Sequence, residues 1–545
     1  MVTGTSVSVD YTALVAVRQT EHCPPDTMPV NSTHPEYDAN VAAWQRARDV
    51  FAGEDAIKAA GELYLPRLDC QDDTEYAAYK HRALFFNASA RTADGFVGLI
   101  FRRDPTFKLP SGKGVGDALT QFVADADMLG TSLAAFAKKL VADIMNVGRA
   151  GTLVDWNGSA TGHGGEDRAY AVAYRAEDII NWHTERVNGR NVLTLVVLNE
   201  TCRKPAAEAD GFVPEIIPQI RVLKLVEIHR PKSKGASQWQ CVVEIWQFLP
   251  DGQSPNANRS RARKKWKLVD TRTPQRRGQP LPLIPFVFHG PRHSLPEVDK
   301  IPLADIIAVN LDHYRLNADY HHGMHFTALP TAWVSGFDKN SSLRIGSSTA
   351  WVAETPGATA GFLEFHGQGL TTFERAMDRD EQLMAVLGTR MLESRKAMAE
   401  SAAAIELTQS GENSVLNTVS LSLGASLTQV LRWIYWWNST EPLPDAIGPD
   451  LVLATLNTDF SVNGMSALEI NAVVSAWQAG AISQATMLDL FRAGEVIAPG
   501  RSNEEEIQIL KAESGKRKAE SAAARAPAIP AAGPGDVNAM PVNTK

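Results

Sequence analysis

The stretch IPLADIIAVNLDHYRLNADYHHGMHFTALPTAWVSG, Ile301 to Gly336, decides how the chain is organised. Leu303, Ile307, Leu311, Tyr314, Ala318, His321 and His325 recur at three- and four-residue spacing and so share one helical face. Asn310, His313 and Asn317 form a polar stripe beside it, which makes the helix only moderately apolar. Gly, Pro and strand-like residues then occupy Leu329–Phe365. Beyond them Leu370, Phe373, Met377, Met384, Leu387 and Met391 trace a heptad-like seam, with Asp380 filling one seam position. The pattern is two helices separated by a short punctuated segment.

Downstream, Ser394–Ser401 is polar and carries Arg395, Lys396 and Glu400. Leu416, Val419, Leu423, Leu427, Leu431 and Ile434 continue an apolar stripe to Trp436-Trp437. A continuous helix from Ser401 to Trp437 would span about 55 Å. Gly411 and Gly424 would each weaken or bend it by about 1 kcal/mol. A short strand at Leu451–Phe460 and helices at Ala467–Ala479 and Thr486–Ala493 follow. The Ala/Pro/Gly-rich end after Lys511 is expected to be disordered.

Upstream, the first 150 residues read mainly as helix. Tyr37–Phe51 and Glu75–Phe86 are helical in composition. Asp117 reads as an N-cap for a face of Leu119, Phe122, Ala126 and Leu129. Leu133, Phe136, Leu140 and Ile144 make a further helix ending at Gly148. The period then changes. Gly151–Trp156, Val192–Leu198, Ile220–His229, Val242–Phe248 and Trp266–Asp270 read as strands. In Ile220–His229 the alternation predicts a half-buried antiparallel strand, violated by Lys224. The polar run after Phe248 reads as an exposed hairpin tip.

The chain has 545 residues, 44% hydrophobic and 21% charged, long enough for several domain-sized units. Its formal charge of −8 argues against a protein that coats itself with nucleic acid. The longest apolar run, Val192–Leu198, is too short to cross a bilayer, and no secretory signal is visible at the N-terminus. Cys23, Cys70, Cys202 and Cys241 form no C-x-x-C pair, which fits a reduced cytosolic setting and excludes a zinc ribbon.

Motifs with chemical potential are few. Gly112, Gly114 and Gly116 form G-x-G-x-G, but Asp117 stands where a dinucleotide fingerprint needs its third glycine, so a loop before a helix is the reading. No G-x-x-x-x-G-K-[ST] occurs, which excludes a P-loop motor. His321 and His325 have a spacing that could serve one metal, yet no H-E-x-x-H glutamate accompanies them and Gly323 disturbs the register. Arg259–Arg277 holds nine basic residues against one acid, Asp270. It reads as a solvated hairpin, with contact to phosphates or an acidic surface as the alternative.

GELYLPRL (Gly61–Leu68) and YKHRALFFNASARTADGFVGLIFRRDP (Tyr79–Pro105) resemble the N-terminal part of tailed-bacteriophage portal proteins. GTSLAAFAKKLVADIMNVGRAGTLVDW (Gly130–Trp156), YRAEDIINW (Tyr174–Trp182) and LPLIPFVF (Leu281–Phe288) continue the resemblance in the same order, and Ile301–Gly336 carries it most strongly. The branch concerned is that of an uncharacterised phage portal-like domain, and the likeness covers roughly residues 50–510.

The resemblance implies an α+β subunit of a ring, commonly of twelve copies, at one capsid vertex. Residues 1–300 would be a mixed α/β wing, 301–326 and 370–393 a two-helix stem, and 327–369 a small clip. Residues 394–401 would be a tunnel loop, 402–462 a long helix and wing return strand, 463–511 a helical crown, and 512–545 a tail. A stem facing a wet channel would account for Asn310, Asn317 and Asp380. The expected partners are double-stranded DNA in the channel, the terminase large subunit, head–tail adaptors, and the major capsid and scaffolding proteins, with no membrane. The expected places are the virion and, during assembly, the host cytoplasm. Arg395 and Lys396 would face DNA, and Phe337, Lys339 and Arg344 would contact clip partners. No catalytic residue, cofactor or metal is implied. The other classes are a metal-dependent hydrolase using His321 and His325, and a minor capsid or tail-adaptor protein without a channel.

Overall fold

The computed structural model describes residues 29–157, 167–187, 189–205, 214–228, 238–250, 264–327, 331–337, 351, 355–363, 369–392, 414–458, 460, 467–494, 496–497 and 502–513. The fold is α+β, with antiparallel sheets throughout the described residues. It divides into a large unit ending at Phe460 and a small one from Ser461 onward.

The large unit opens with helices α1 (Pro35–Ala52), α2 (Glu54–Ala60), α3 (Asp73–Arg82) and α4 (Ala88–Ile100). Helix α3 starts with a capping box, Asp72 accepting from Glu75 N at 2.8 Å while Glu75 accepts from Asp72 N at 3.2 Å. It stops at Arg82, short of the expected Phe86, because Ala83 turns to extended backbone. After strand β1 (Thr106–Lys108) comes α5 (Val115–Ala124). Its N-cap is Gly114 and not Asp117, which sits three residues inside and accepts from Gly114 N. The helix ends before the expected face is complete: Asp125 turns extended, held by Arg168, and Leu129 is 86% exposed. Helix α6 (Leu133–Val147) is N-capped by Ser132 and ends at Gly148, the end expected. At Gly148 φ is +75° and a Cβ would lie 2.8 Å from Lys300 O, so only glycine fits both the turn and the close approach.

Strands β2 (Ala150–Trp156) and β3 (Ala169–Arg175) pair with β11 (Phe286–His289) in a three-stranded sheet, order β11-β2-β3. A five-stranded meander is formed by β4 (Ile179–Val187), β5 (Arg190–Pro205), β6 (Pro214–Ile228), β7 (Gln238–Pro250) and β8 (Lys264–Arg272). The middle of β6 is buried on both faces, Ile220 and Val222 on one and Leu223 and Leu225 on the other, so it is not the half-buried strand expected. Lys224 is tolerated there because it pairs with Glu244 of β7. The expected hairpin tip at 251–263 lies outside the described residues. Strands β9 (Gln275–Arg276) and β10 (Gln279–Pro280) form a small hairpin.

Helix α7 (Ala304–Thr327), strands β12 (Thr331–Ser335) and β13 (Thr359–Leu363), helix α8 (Leu370–Leu392) and helix α9 (Ser414–Asn438) follow. Helix α9 buries Leu416, Val419, Leu423, Leu427, Val430 and Leu431, with Ser420, Ser422, Ser426 and Thr428 also buried. Helix α9 is buried over most of its circumference, leaving Leu421 and Ala425 exposed, and it packs on β2, β3, β11, α5 and β14 (Leu453–Thr455). Gly424 lets β14 close in, since a Cβ there would meet Ala454 O at 3.1 Å. Among the described residues of the expected strand Leu451–Phe460, Leu453–Thr455 alone are paired, with β1. Residues 401–413, including Gly411, lie outside the described residues.

The small unit contains α10 (Ala467–Gln478), α11 (Gln484–Ala493), capped by Ser483, and a helix over 503–513. Arg492 and Asn503 meet at 2.7 Å and tie the last two together. Among the described residues no helix is long and apolar enough to cross a membrane.

Candidate functional site

The organising feature is the hairpin of α7 and α8, rooted in the body by its polar residues. Asn310 accepts from Ser89 N (3.1 Å) and Ser89 Oγ (2.8 Å) and donates to Phe86 O (2.7 Å). Asn317 accepts from Leu84 N at 2.8 Å. These side chains therefore satisfy the backbone of a non-helical segment, 83–87, that has no sheet partner of its own. Both asparagines are buried, so they do not form the wet face expected of them. Arg315 Nε adds a bond to Tyr64 O (2.9 Å), and Tyr79 OH one to Asp319 (2.6 Å).

Helices α7 and α8 run antiparallel. Tyr320 OH donates to Glu374 at 2.7 Å, and His313 lies 3.5 Å from Glu381 further down. Gly323 makes the approach possible, because a Cβ there would sit 2.8 Å from Leu370 Cδ2. Asp380 is partly buried, and desolvation, with Asp312 nearby, raises its pKa. Met384 is buried, whereas Leu383 and Val386 on the other side of α8 are exposed.

At the tip, β12 pairs with β13, Trp333 opposite Gly361. The indole occupies the space a side chain at 361 would need, 2.9 Å from its Cβ position. Phe326 (58%), Trp333 (46%) and Phe362 (52%) are exposed. A two-stranded hairpin is marginally stable alone, and exposed aromatics at its faces suit contact with another protein. Phe337 follows β12 and is half-buried. Lys339, Arg344, Arg395 and Lys396 lie outside the described residues.

The histidines do not assemble as the spacing suggested. His321 sits edge-on to Tyr320, while His322 and His325 line a cleft of about 380 Å³ against α3. His322 lies 3.2 Å from Arg82, and burial together with that cation lowers its pKa. Among the described residues no three His, Cys, Asp or Glu are grouped to hold a metal ion.

In the described part of the basic run, Arg276 serves the fold. Arg276 stacks on Trp436 at 4.1 Å and donates to Ser439 O and to Glu441 O (2.8 Å), just beyond the C-terminus of α9. Arg277 occupies the turn with φ +51°, and Arg272 pairs with Asp270. Sequence reasoning missed a buried chain: His289 lies 2.7 Å from Thr152 Oγ1 and 2.7 Å from Ser426 Oγ. Burial pushes the imidazole down to about 3. All three residues are buried, so the chain ties α9 to the three-stranded sheet and presents no nucleophile to solvent.

A family model described as a domain of unknown function, DUF4055, matches residues 302–438. That span includes the hairpin, its tip and α9. No curated protein matches the sequence. Among solved structures, a chain of the virion of a native gene transfer agent particle is 11% identical with a TM-score of 0.34, covering 80% of this chain and 98% of that one. A chain from the neck of the empty particle, computed with C6 symmetry, is 10% identical with a TM-score of 0.35, covering 75% and 90%. One from the neck of the native particle, computed with C12 symmetry, is 9% identical with a TM-score of 0.33, covering 77% and 94%.

Proposed function

We propose that the chain is a portal protein: a ring-forming conduit for double-stranded DNA at one capsid vertex, without a catalytic site of its own. The observation that carries this is the α7–α8 hairpin, rooted by Asn310 and Asn317, with exposed aromatics at its tip. It occupies the stretch whose sequence resembles the portal stem and clip. The tip would dock the terminase and later the head–tail adaptors, with Phe337, Lys339 and Arg344 among its contacts. Charge is consistent with the role. Each phosphate gripped by Lys or Arg adds salt-dependent affinity that translocation must break, and a chain of net −8 lets DNA slide.

The reading is tested by deleting the gene from its virus. Particles then assemble without packaged genome, and a copy supplied in trans restores it. DNA-filled particles lacking the protein would overturn the proposal.

A further inference from the structure

The cleft of about 380 Å³ between α3 and α7 is lined by Gln71, Thr74, Ala78, Arg82, His322 and His325. A DNA conduit has no evident use for it. Its polar groups are unequal, since the acceptors around it are spent while donors remain. We propose that the cleft binds a small phosphate-class oxyanion on Arg82 and His322, with Thr74 and Gln71 closing over it, independently of ring formation.

The acids nearby are committed within the fold. Glu75 accepts from Asp72 N at 3.2 Å, and Asp72 from Glu75 N at 2.8 Å. Arg67 pairs with Glu62 (2.8 Å) and Asp73 (2.9 Å) and donates to Gln71 O (3.3 Å), which fixes the loop forming one wall. Asp319 accepts from Tyr79 OH at 2.6 Å. Asp69 lies exposed among the lining residues. Gln71 Oε1 accepts from Leu68 N at 3.2 Å, so the amide nitrogen is the end left to the cleft.

The donors are set by one contact. Arg82 Nη2 lies 3.2 Å from His322 Nδ1. A guanidinium only donates, so Nδ1 accepts and the ring proton is assigned to Nε2. The lowered pKa of His322 agrees with a neutral ring. Arg82 Nε is buried and has no hydrogen-bond partner among the described residues. An N–H left so costs free energy, and an oxyanion would relieve it with a charge-assisted bond. The guanidinium, the Nε2–H, the Thr74 hydroxyl and the Gln71 amide outnumber the two oxygens of a carboxylate and suit a tetrahedral phosphate. The volume is that of roughly a dozen waters, room for one phosphate group or its small ester.

The test titrates the full chain with inorganic phosphate by calorimetry at constant ionic strength, with acetate as the planar control. Phosphate should saturate one site per chain, and acetate should bind about tenfold more weakly or worse. Arg82→Gln should weaken phosphate about tenfold or more. Gln71→Glu keeps the oxygen that holds Leu68 N and adds a carboxylate, so it should abolish binding with an unchanged melting temperature in phosphate-free buffer. It decides the matter if Arg82→Gln does not fold. Lys108→Gln, at an exposed cation elsewhere, should bind as the parent does. No saturable binding by the parent, affinity unchanged in Gln71→Glu or in folded Arg82→Gln, or acetate as tight as phosphate would each overturn the assignment. Displacement of phosphate by a short DNA duplex would make the cleft a contact for nucleic-acid backbone and overturn it as a small-ion site.

Discussion

Asn310 and Ser89, 221 residues apart, are joined by two hydrogen bonds to one side-chain oxygen, while the other end of the same amide holds Phe86 O. One side chain thus fixes the base of the hairpin to the N-terminal helices. Asn310→Ala leaves a buried N–H, hydroxyl and carbonyl unpaired, and should cost about 2–4 kcal/mol in urea unfolding. Asn317→Ala, which frees Leu84 N, should cost about 1–2 kcal/mol. A neutral Asn310→Ala would show that the hairpin is anchored elsewhere.

The His289 chain gives a pH dependence with a definite sign. The folded-state imidazole titrates near 3 and the unfolded one near 6.5. Between these values the unfolded state binds the extra proton, so stability is flat above about 6.5 and falls as the pH drops toward 3. The slope approaches about 1.4 kcal/mol per pH unit. His289→Gln should flatten the stability profile between pH 6 and 4 by about that slope. An unchanged profile would contradict a neutral buried imidazole.

Arg276 tests whether the basic run is structural. Arg276→Ala loses the stack on Trp436 and two carbonyl contacts beyond α9, and should lower stability by about 1–2 kcal/mol. Lys at 276 should restore little, since an ammonium reproduces neither the planar stack nor the fork. Unchanged stability together with weakened DNA binding would instead favour a phosphate contact.

The gap between sequence and structure is physical. The face Leu303–Ala318 of α7 was legible because burial follows the helical period. The role of Asn310 and Asn317 was not, because their partners are backbone groups near residue 86. Leu129 was misread as core: the period continues past Ala124, but the Arg168–Asp125 pair, invisible locally, ends the helix. Lys224 violated its strand pattern because its partner, Glu244, sits on the next strand. At the site, the spacing of His321 and His325 suggested a pair, whereas packing of α3 selects His322 and His325. Local pattern reports which residues are buried, and long-range partners decide what the polar ones do.

Arg395 and Lys396, expected at the tunnel loop, carry the prediction most specific to DNA. In a ring they would form a belt of exposed cations whose individual contacts are screened within about 8–10 Å. Replacing both by Ala should leave assembly intact and reduce packaged-genome length or retention. Virions of the double variant with full, stably held genomes would remove the loop from the channel.

The most direct test of the central claim is the mass and image of the purified chain in solution. Native mass spectrometry with electron microscopy should give a closed ring with a central hole, about 712 kDa for twelve copies of the 59.3 kDa chain. A stable 59.3 kDa monomer, or a two-fold dimer without a hole, across the working concentration range would contradict the account.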